Sequence, residues 1–174
     1  KEKQKEVEQE QIVSKIEELK HQFKEVPNDT FEFSDNYKSY QQAREKLSQK
    51  YKEVQDTLNT IKGNEKGIQS EINNLNRNLN QLDTKDTCPV CGSPIDNSHK
   101  LKEQENIKNQ ISIKQEESQD NVQEQQRYEQ ALQVLNSKDQ EVLELMKVEE
   151  EQEKTHKDSI YQVTVYNNNL QNNI

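Results

Sequence analysis

Little in this chain is fit to be buried: hydrophobic residues make up 28% of its 174 positions and aromatics 5%, where an ordinary globular domain is close to half apolar. A thick three-dimensional core is therefore not expected, because too little apolar surface is available to offset the entropy of ordering the chain. Glycine and proline number three each, so nothing reads as a flexible Gly/Ser linker. Basic clusters are missing as well. The formal net charge is −9 and the lysines are scattered, which makes the segment a poor match for phosphate backbones, and no direct nucleic-acid binding is expected of it. No run approaches the roughly 20 apolar residues that a membrane span requires. The chain opens Lys1-Glu2-Lys3-Gln4-Lys5 with neither an initiator Met nor a following apolar stretch. No secretory signal is expected, and the chain is expected to be a fragment of a longer protein. Two closely spaced cysteines in an otherwise Cys-free chain do not make a secreted disulfide framework, so the cytoplasm is the expected setting.

What remains, rich in Glu, Gln, Lys and Asn with 33% charged residues, is either disordered or a long helical seam that needs only two apolar positions in seven. Periodicity decides. From Tyr37 to Leu82, one set of heptad positions is Tyr40, Leu47, Val54, Ile61, Ile68, Leu75 and Leu82. The alternating set is Tyr37, Arg44, Tyr51, Leu58, Glu65, Ile72 and Leu79. All but Arg44 and Glu65 are apolar or Tyr, and the 3-4 spacing never slips. That is a coiled-coil seam; one face of a globular domain's helix would be apolar over a broader stripe.

An earlier run, Ile12, Ile16, Leu19, Phe23 and Val26, keeps the same spacing, and Pro27-Asn28-Asp29-Thr30 follows it. Proline and the Asn-Asp-Thr turn chemistry predict a break over 27–35, with Ser34 or Asp35 capping the next helix. The first arm is about nine residues longer than the second. The break is expected to absorb that excess, so that Ile12–Val26 pairs with the region around Val148–Val163. On the return arm Ile107 and Ile111 set the register, and Lys114, Ser118, Asn121 and Gln125 make a polar stretch. Tyr128, Leu132, Leu135, Val142 and Met146 restore the seam, with Asp139 out of character. It lapses again at Glu149, Glu153 and His156 before Ile160, Val163, Leu170 and Ile174. Gly63, Glu65 and Gly67 would face residues near 116–120, and that level is a candidate hinge or else a register mark.

Between the arms lies Asp86-Thr87-Cys88-Pro89-Val90-Cys91-Gly92-Ser93-Pro94-Ile95-Asp96-Asn97-Ser98, where two prolines and a glycine stop both helices. The expected fold is all-α: a long antiparallel intramolecular coiled-coil hairpin, with an ascending arm over 1–86, an apex over 87–98 and a descending arm over 99–174. Cys88 and Cys91 are the chemically specific pair. Two thiolates two residues apart can grip one Zn²⁺, with Gly92 letting the backbone bend close to the sulfurs. Structural zinc takes four ligands. His99 sits near the start of the return helix, whereas His21 and His156 lie far down the arms. Three readings stay open: an incidental dithiol at a loop tip, a redox pair (which would need a strand leading in), or a zinc shared with a second copy that supplies the other two thiolates.

The order helix, Cys88-Pro89-Val90-Cys91-Gly92, helix resembles the zinc hook of the SbcC family, SMC-like ATPases of DNA double-strand-break processing. In that family the hook is Cys-x-x-Cys and two protomers share one zinc, so the resemblance implies that Cys88 and Cys91 are metal ligands in a homodimer. It further implies ATPase heads and a nuclease subunit in the parent protein, reaching DNA through head domains, and a bacterial, nucleoid-associated setting. Gly63, Gly67 and Gly92 are the only glycines, so no phosphate-binding G-x-x-x-x-G-K-[ST] loop is present and the segment itself is expected to have no enzymatic activity. A scaffold or cytoskeletal coiled coil with an incidental Cys pair is the alternative.

Overall fold

A computed structural model describes residues 2–173 as three helices: α1, Glu2–His21; α2, Asp35–Thr84; and α3, Asn97–Gln171. No described helix is long and apolar enough to cross a membrane. Ile174, the last seam residue read from the sequence, lies outside the described residues. The chain falls into two units, Arg44–Gln140 and the pair Lys1–Ala43 with Glu141–Ile174.

In the unit Arg44–Gln140, the end of α2 and the start of α3 lie antiparallel as an all-α hairpin, and the seam positions are the buried ones. Val54, Leu58, Ile61, Ile68, Ile72 and Leu82 are buried on α2 and Ile107 on α3. Each such side chain contributes about 1.5–3 kcal/mol by leaving water. Tyr51 departs from the pattern at 41% exposed. Its phenol tip is amphipathic and is tolerated at the surface.

The two α2 seam residues that break the apolar rule each meet a polar answer on α3. Arg44 donates from Nε to Asp139 Oδ1 at 2.7 Å and from a terminal nitrogen to Oδ2 at 3.1 Å. The guanidinium beside it holds the Asp139 carboxyl below the usual carboxylate range. Glu65 accepts from Ser118 Oγ at 2.7 Å, from Gln69 at 2.8 Å and from Asn121 Nδ2 at 3.1 Å. Asn121 also donates to the Ile61 carbonyl at 3.0 Å. These donors, Ser118 first, depress the Glu65 carboxyl. The level proposed as a hinge is thus a closed hydrogen-bond network, and α2 runs through Gly63 and Gly67 without interruption. A methyl added at either glycine would meet nothing within 4 Å. The register-mark reading fits; the hinge reading finds no support in the fold.

The other unit differs in kind. α1 stops at His21, and residues 22–34 are not helical until Ser34 caps α2, its Oγ accepting from the Tyr37 amide at 3.1 Å. The segment lies stretched along α3. Lys24 faces Asn167, which accepts from the Lys24 amide at 3.0 Å and donates to its carbonyl at 2.8 Å. His156 Nε2 donates to the Asn28 carbonyl at 2.6 Å. The Ser34 amide donates to Glu149 at 2.8 Å, and its hydroxyl donates to the same carboxylate. Tyr37 donates to Glu150 at 3.0 Å; burial foremost, then this carboxylate, pushes its phenol up.

The expectation that the break would loop out surplus length is therefore corrected. Extended chain advances about 3.3 Å per residue against about 1.5 Å in a helix. Lys24–Ser34 consequently lies along Glu149–Asn167, a longer stretch of α3 than a helical arm would cover. Ser34 and Asn28 meet Glu149 and His156, and Lys24 already lies at Asn167, so Ile12–Val26 is not set along Val148–Val163. Ile16, Leu19 and Phe23 are half-buried, while Ile12 is 59% and Val26 48% exposed. Phe31 and Phe33 meet edge to face at 5.2 Å, and Phe33 stacks on Tyr37 at 4.1 Å, which seats the extended segment.

Candidate metal centre

The apex is short because its sequence satisfies its own backbone. The Ile95 amide donates to the Asp86 carbonyl at 2.9 Å, and Thr87 and Pro94 pair in a single antiparallel bridge. Inside that bridge the Cys88 amide donates to the Ser93 carbonyl at 2.8 Å and the Gly92 amide to the Cys88 carbonyl at 2.9 Å. Closing so tight a knuckle needs a left-handed residue. Gly92 supplies it at φ 73°, a conformation that strains any side chain with a Cβ. Asp96 then starts α3: its Oδ1 accepts from the His99 amide at 2.7 Å and its carbonyl from the Lys100 amide at 2.9 Å. That is an N-cap.

The two cysteines sit differently within this knuckle. Cys88 is 3% exposed and packs with Leu82 and Ile107, flanked by Leu75, Leu79, Ile95 and Ile111. This cluster clamps the loop to both helix ends. Cys91 is exposed, and both thiols are free. Burial pushes the Cys88 thiol up. The Cys91 and Val90 amides and the Cys91 thiol, all directed at its sulfur, outweigh that, and the net shift is downward, toward the thiolate that binds metal. Both candidate ligands read from the sequence thus meet at the apex. His21 ends α1, and His156 serves the Asn28 carbonyl.

His99, which the sequence places only near the start of the return helix, comes to the same point. Its Nε2 lies 3.5 Å from Cys91 Sγ, and the donor atoms of Cys88, Cys91 and His99 all lie within 4.8 Å of one another. Ligands around one tetrahedral zinc sit about 3.5–4 Å apart; Cys91 and His99 are already at that spacing, and two soft thiols and an imidazole gathered within 4.8 Å are the donor types such an ion takes. The signal was available in the sequence. Asp96 as N-cap puts His99 in the first turn, and helical side chains lean back toward the N-terminus, here toward the loop.

Residues 68–118 match the family described as the Rad50 zinc hook motif. The match takes in the knuckle, both cysteines, His99 and the adjoining stretches of α2 and α3, from Ile68 to Ser118. No curated protein and no solved structure matches the chain. The hook resemblance read from Cys88-Pro89-Val90-Cys91-Gly92 is therefore shown over this segment. A hook of this kind is a structural, homodimerising motif and not a catalytic one.

Proposed function

We propose that this chain is a dimerisation module: a coiled-coil spacer whose apex, 87–98, joins a second copy through one zinc held by Cys88 and Cys91 of each chain. The observation that carries this reading is the meeting of two free thiols, one of them exposed, on a tip with fewer sulfur ligands than structural zinc takes. Zinc bound there supplies a Lewis-acidic centre for four thiolates. The chain's own contribution is to hold the Cys88 sulfur under amide donors and to present Cys91 outward. The net charge of −9 per chain adds to the argument, because acidic arms repel one another and leave the apex as the favoured joint.

In this reading residues 1–86 and 99–174 are the ascending and descending arms of a cytoplasmic, nucleoid-associated protein of DNA double-strand-break repair. Its ATPase heads and nuclease subunit engage the DNA, and the hook tethers two such assemblies.

Zinc quantitation alongside molar mass, with and without a chelator, tests the joint. The expected result is one zinc per two chains and a dimer that the chelator dissolves. Replacing both Cys88 and Cys91 by Ser should abolish metal binding and dimerisation while leaving helicity nearly intact, because the arms fold through their own seam. A dimer of unchanged affinity in the double variant, with no metal, would instead favour a scaffold coiled coil.

A further inference from the structure

We propose that His99 is a third metal donor, so that a single chain captures zinc through Cys88, Cys91 and His99 before a second chain's thiolates displace the imidazole. The inference rests on the zinc reading above and adds a state to it: a loaded monomer.

Position comes first. His99 is held in the first turn of α3 by the Asp96 cap, its Nε2 is directed at Cys91 Sγ across 3.5 Å, and all three donor atoms lie within 4.8 Å of one another. No movement of a helix is needed to bring it to the thiols. A surface histidine with no role would be free to point into water; this one is half-buried over the knuckle.

Charge supplies a second, independent observation. Glu103 lies one helical turn beyond His99 on the same face of α3, and its Oε2 is buried without a hydrogen-bond partner. Its negative charge acts on the Cys88 sulfur. An orphaned carboxylate oxygen near enough to act on the Cys88 thiol is costly as it stands, and a bound cation would offset it. Metal-ligating histidines usually pass their other N–H to a carboxylate, which fixes the ring and raises its basicity. Glu103 has the chemistry for that service and nothing else to do with the oxygen. It is a positioning residue in this account, not a ligand.

Three donors in one chain make a tighter chelate than two, and this changes how the dimer responds to zinc. With two donors per chain, excess zinc competes weakly with the shared site. With three, excess zinc titrates chains into one-to-one complexes and dissolves the dimer. Dimer content should therefore rise to a maximum near half an equivalent of zinc and fall beyond one.

Cobalt(II) reports the donor set directly, since the d–d bands of a two-sulfur, one-nitrogen site differ from those of four sulfurs. The experiment titrates the 174-residue chain with zinc and, separately, with cobalt. Molar mass and absorption are followed for the native chain, H99A, H99Q and E103Q, with helicity checked by circular dichroism. For the native chain we expect a four-sulfur spectrum and a dimer at half an equivalent, giving way to a mixed sulfur–nitrogen spectrum and a monomer in excess. H99A and H99Q should keep the four-sulfur dimer across the excess range and bind the single-chain metal at least about 100-fold more weakly, the upper end of what losing an outer-shell partner costs. E103Q should keep the native spectra and lose about tenfold in single-chain affinity.

If H99A and H99Q, folded, match the native chain in both regimes, His99 is not a donor. A four-sulfur dimer that persists unchanged in excess metal for the native chain overturns the loaded monomer while leaving the shared hook intact. No cobalt binding by any folded form would overturn the hook reading itself, and the third donor with it.

Discussion

α3 keeps one heptad phase but serves two different partners. Over Arg44–Gln140 its partner is another helix, whose backbone hydrogen bonds are internal, and the seam offers it mainly apolar side chains, with polar ones answering Arg44 and Glu65. Over Glu141–Asn167 its partner includes an extended segment whose amides and carbonyls have no such internal outlet, and there α3 presents Glu149, His156 and Asn167. The difference teaches that a polar residue at a seam position need not be a weak point. Buried or half-buried backbone groups must be paired, so the polar seam residues record which kind of chain lies opposite. Asn167 illustrates this best: its amide takes both the N–H and the C=O of Lys24, as a neighbouring strand would.

The largest effect is expected on the helix–helix side. Leu58 is 2% exposed, and Leu58→Ala should cost about 2–5 kcal/mol, the range for emptying a packed core site. Chemical denaturation measures it, and hydrogen exchange should show the loss across 47–82 and 107–135 with little change in 24–34. Loss of less than about 1 kcal/mol would mean that the seam is not what holds this unit together.

The second change sharpens the contrast, because the two accounts of position 149 predict opposite signs. If α3 wanted an apolar seam there, Glu149→Leu would stabilise. With an extended partner it removes the acceptor of the Ser34 amide and hydroxyl, and the cap of α2 loosens. The expected cost is about 1–2 kcal/mol, seen as roughly 5–30-fold faster amide exchange over 22–38. Protection that increases would refute the pairing described here.

The smallest effect belongs to the glycines. Gly63 and Gly67 are helical with open space where a Cβ would go, so each Gly→Ala should stabilise by about 0.5–1 kcal/mol. Thermal unfolding of the double variant checks it. A destabilised variant would revive the idea that this level is built to bend.

Much of the fold was legible because coiled coils write their packing at a fixed spacing. The α2 seam from Val54 to Leu82 could be read residue by residue, and Glu65 opposite Ser118 followed from counting outward from the apex. Counting failed at 22–34 because rise per residue, which is not encoded in heptad phase, doubles where the chain leaves the helix. Pro27 announces a break but not whether the chain beyond it loops out or stretches along its neighbour. At the apex, Cys88 and Cys91 declared themselves by type and spacing. His99 did not, because a histidine beginning a helix is a common surface residue. Only the direction of its side chain, set by the Asp96 cap, turns it toward the thiols.

A repetitive seam carries a kinetic hazard that the two polar answers remove. Zippering heptads can lock one repeat out of step and still bury leucines and isoleucines, a trap from which escape requires unpairing. Slip α2 by one heptad and Arg44 would meet Leu132 or Met146 in place of Asp139, while Glu65 would meet Ile111 or Gln125 in place of Ser118. Two half-buried charges would lose their partners together, and each would face apolar or neutral side chains in their place. Arg44 and Glu65 thus mark the register: a misaligned hairpin forfeits both polar pairings, and the aligned one keeps both helix ends packed on the Cys88 knuckle.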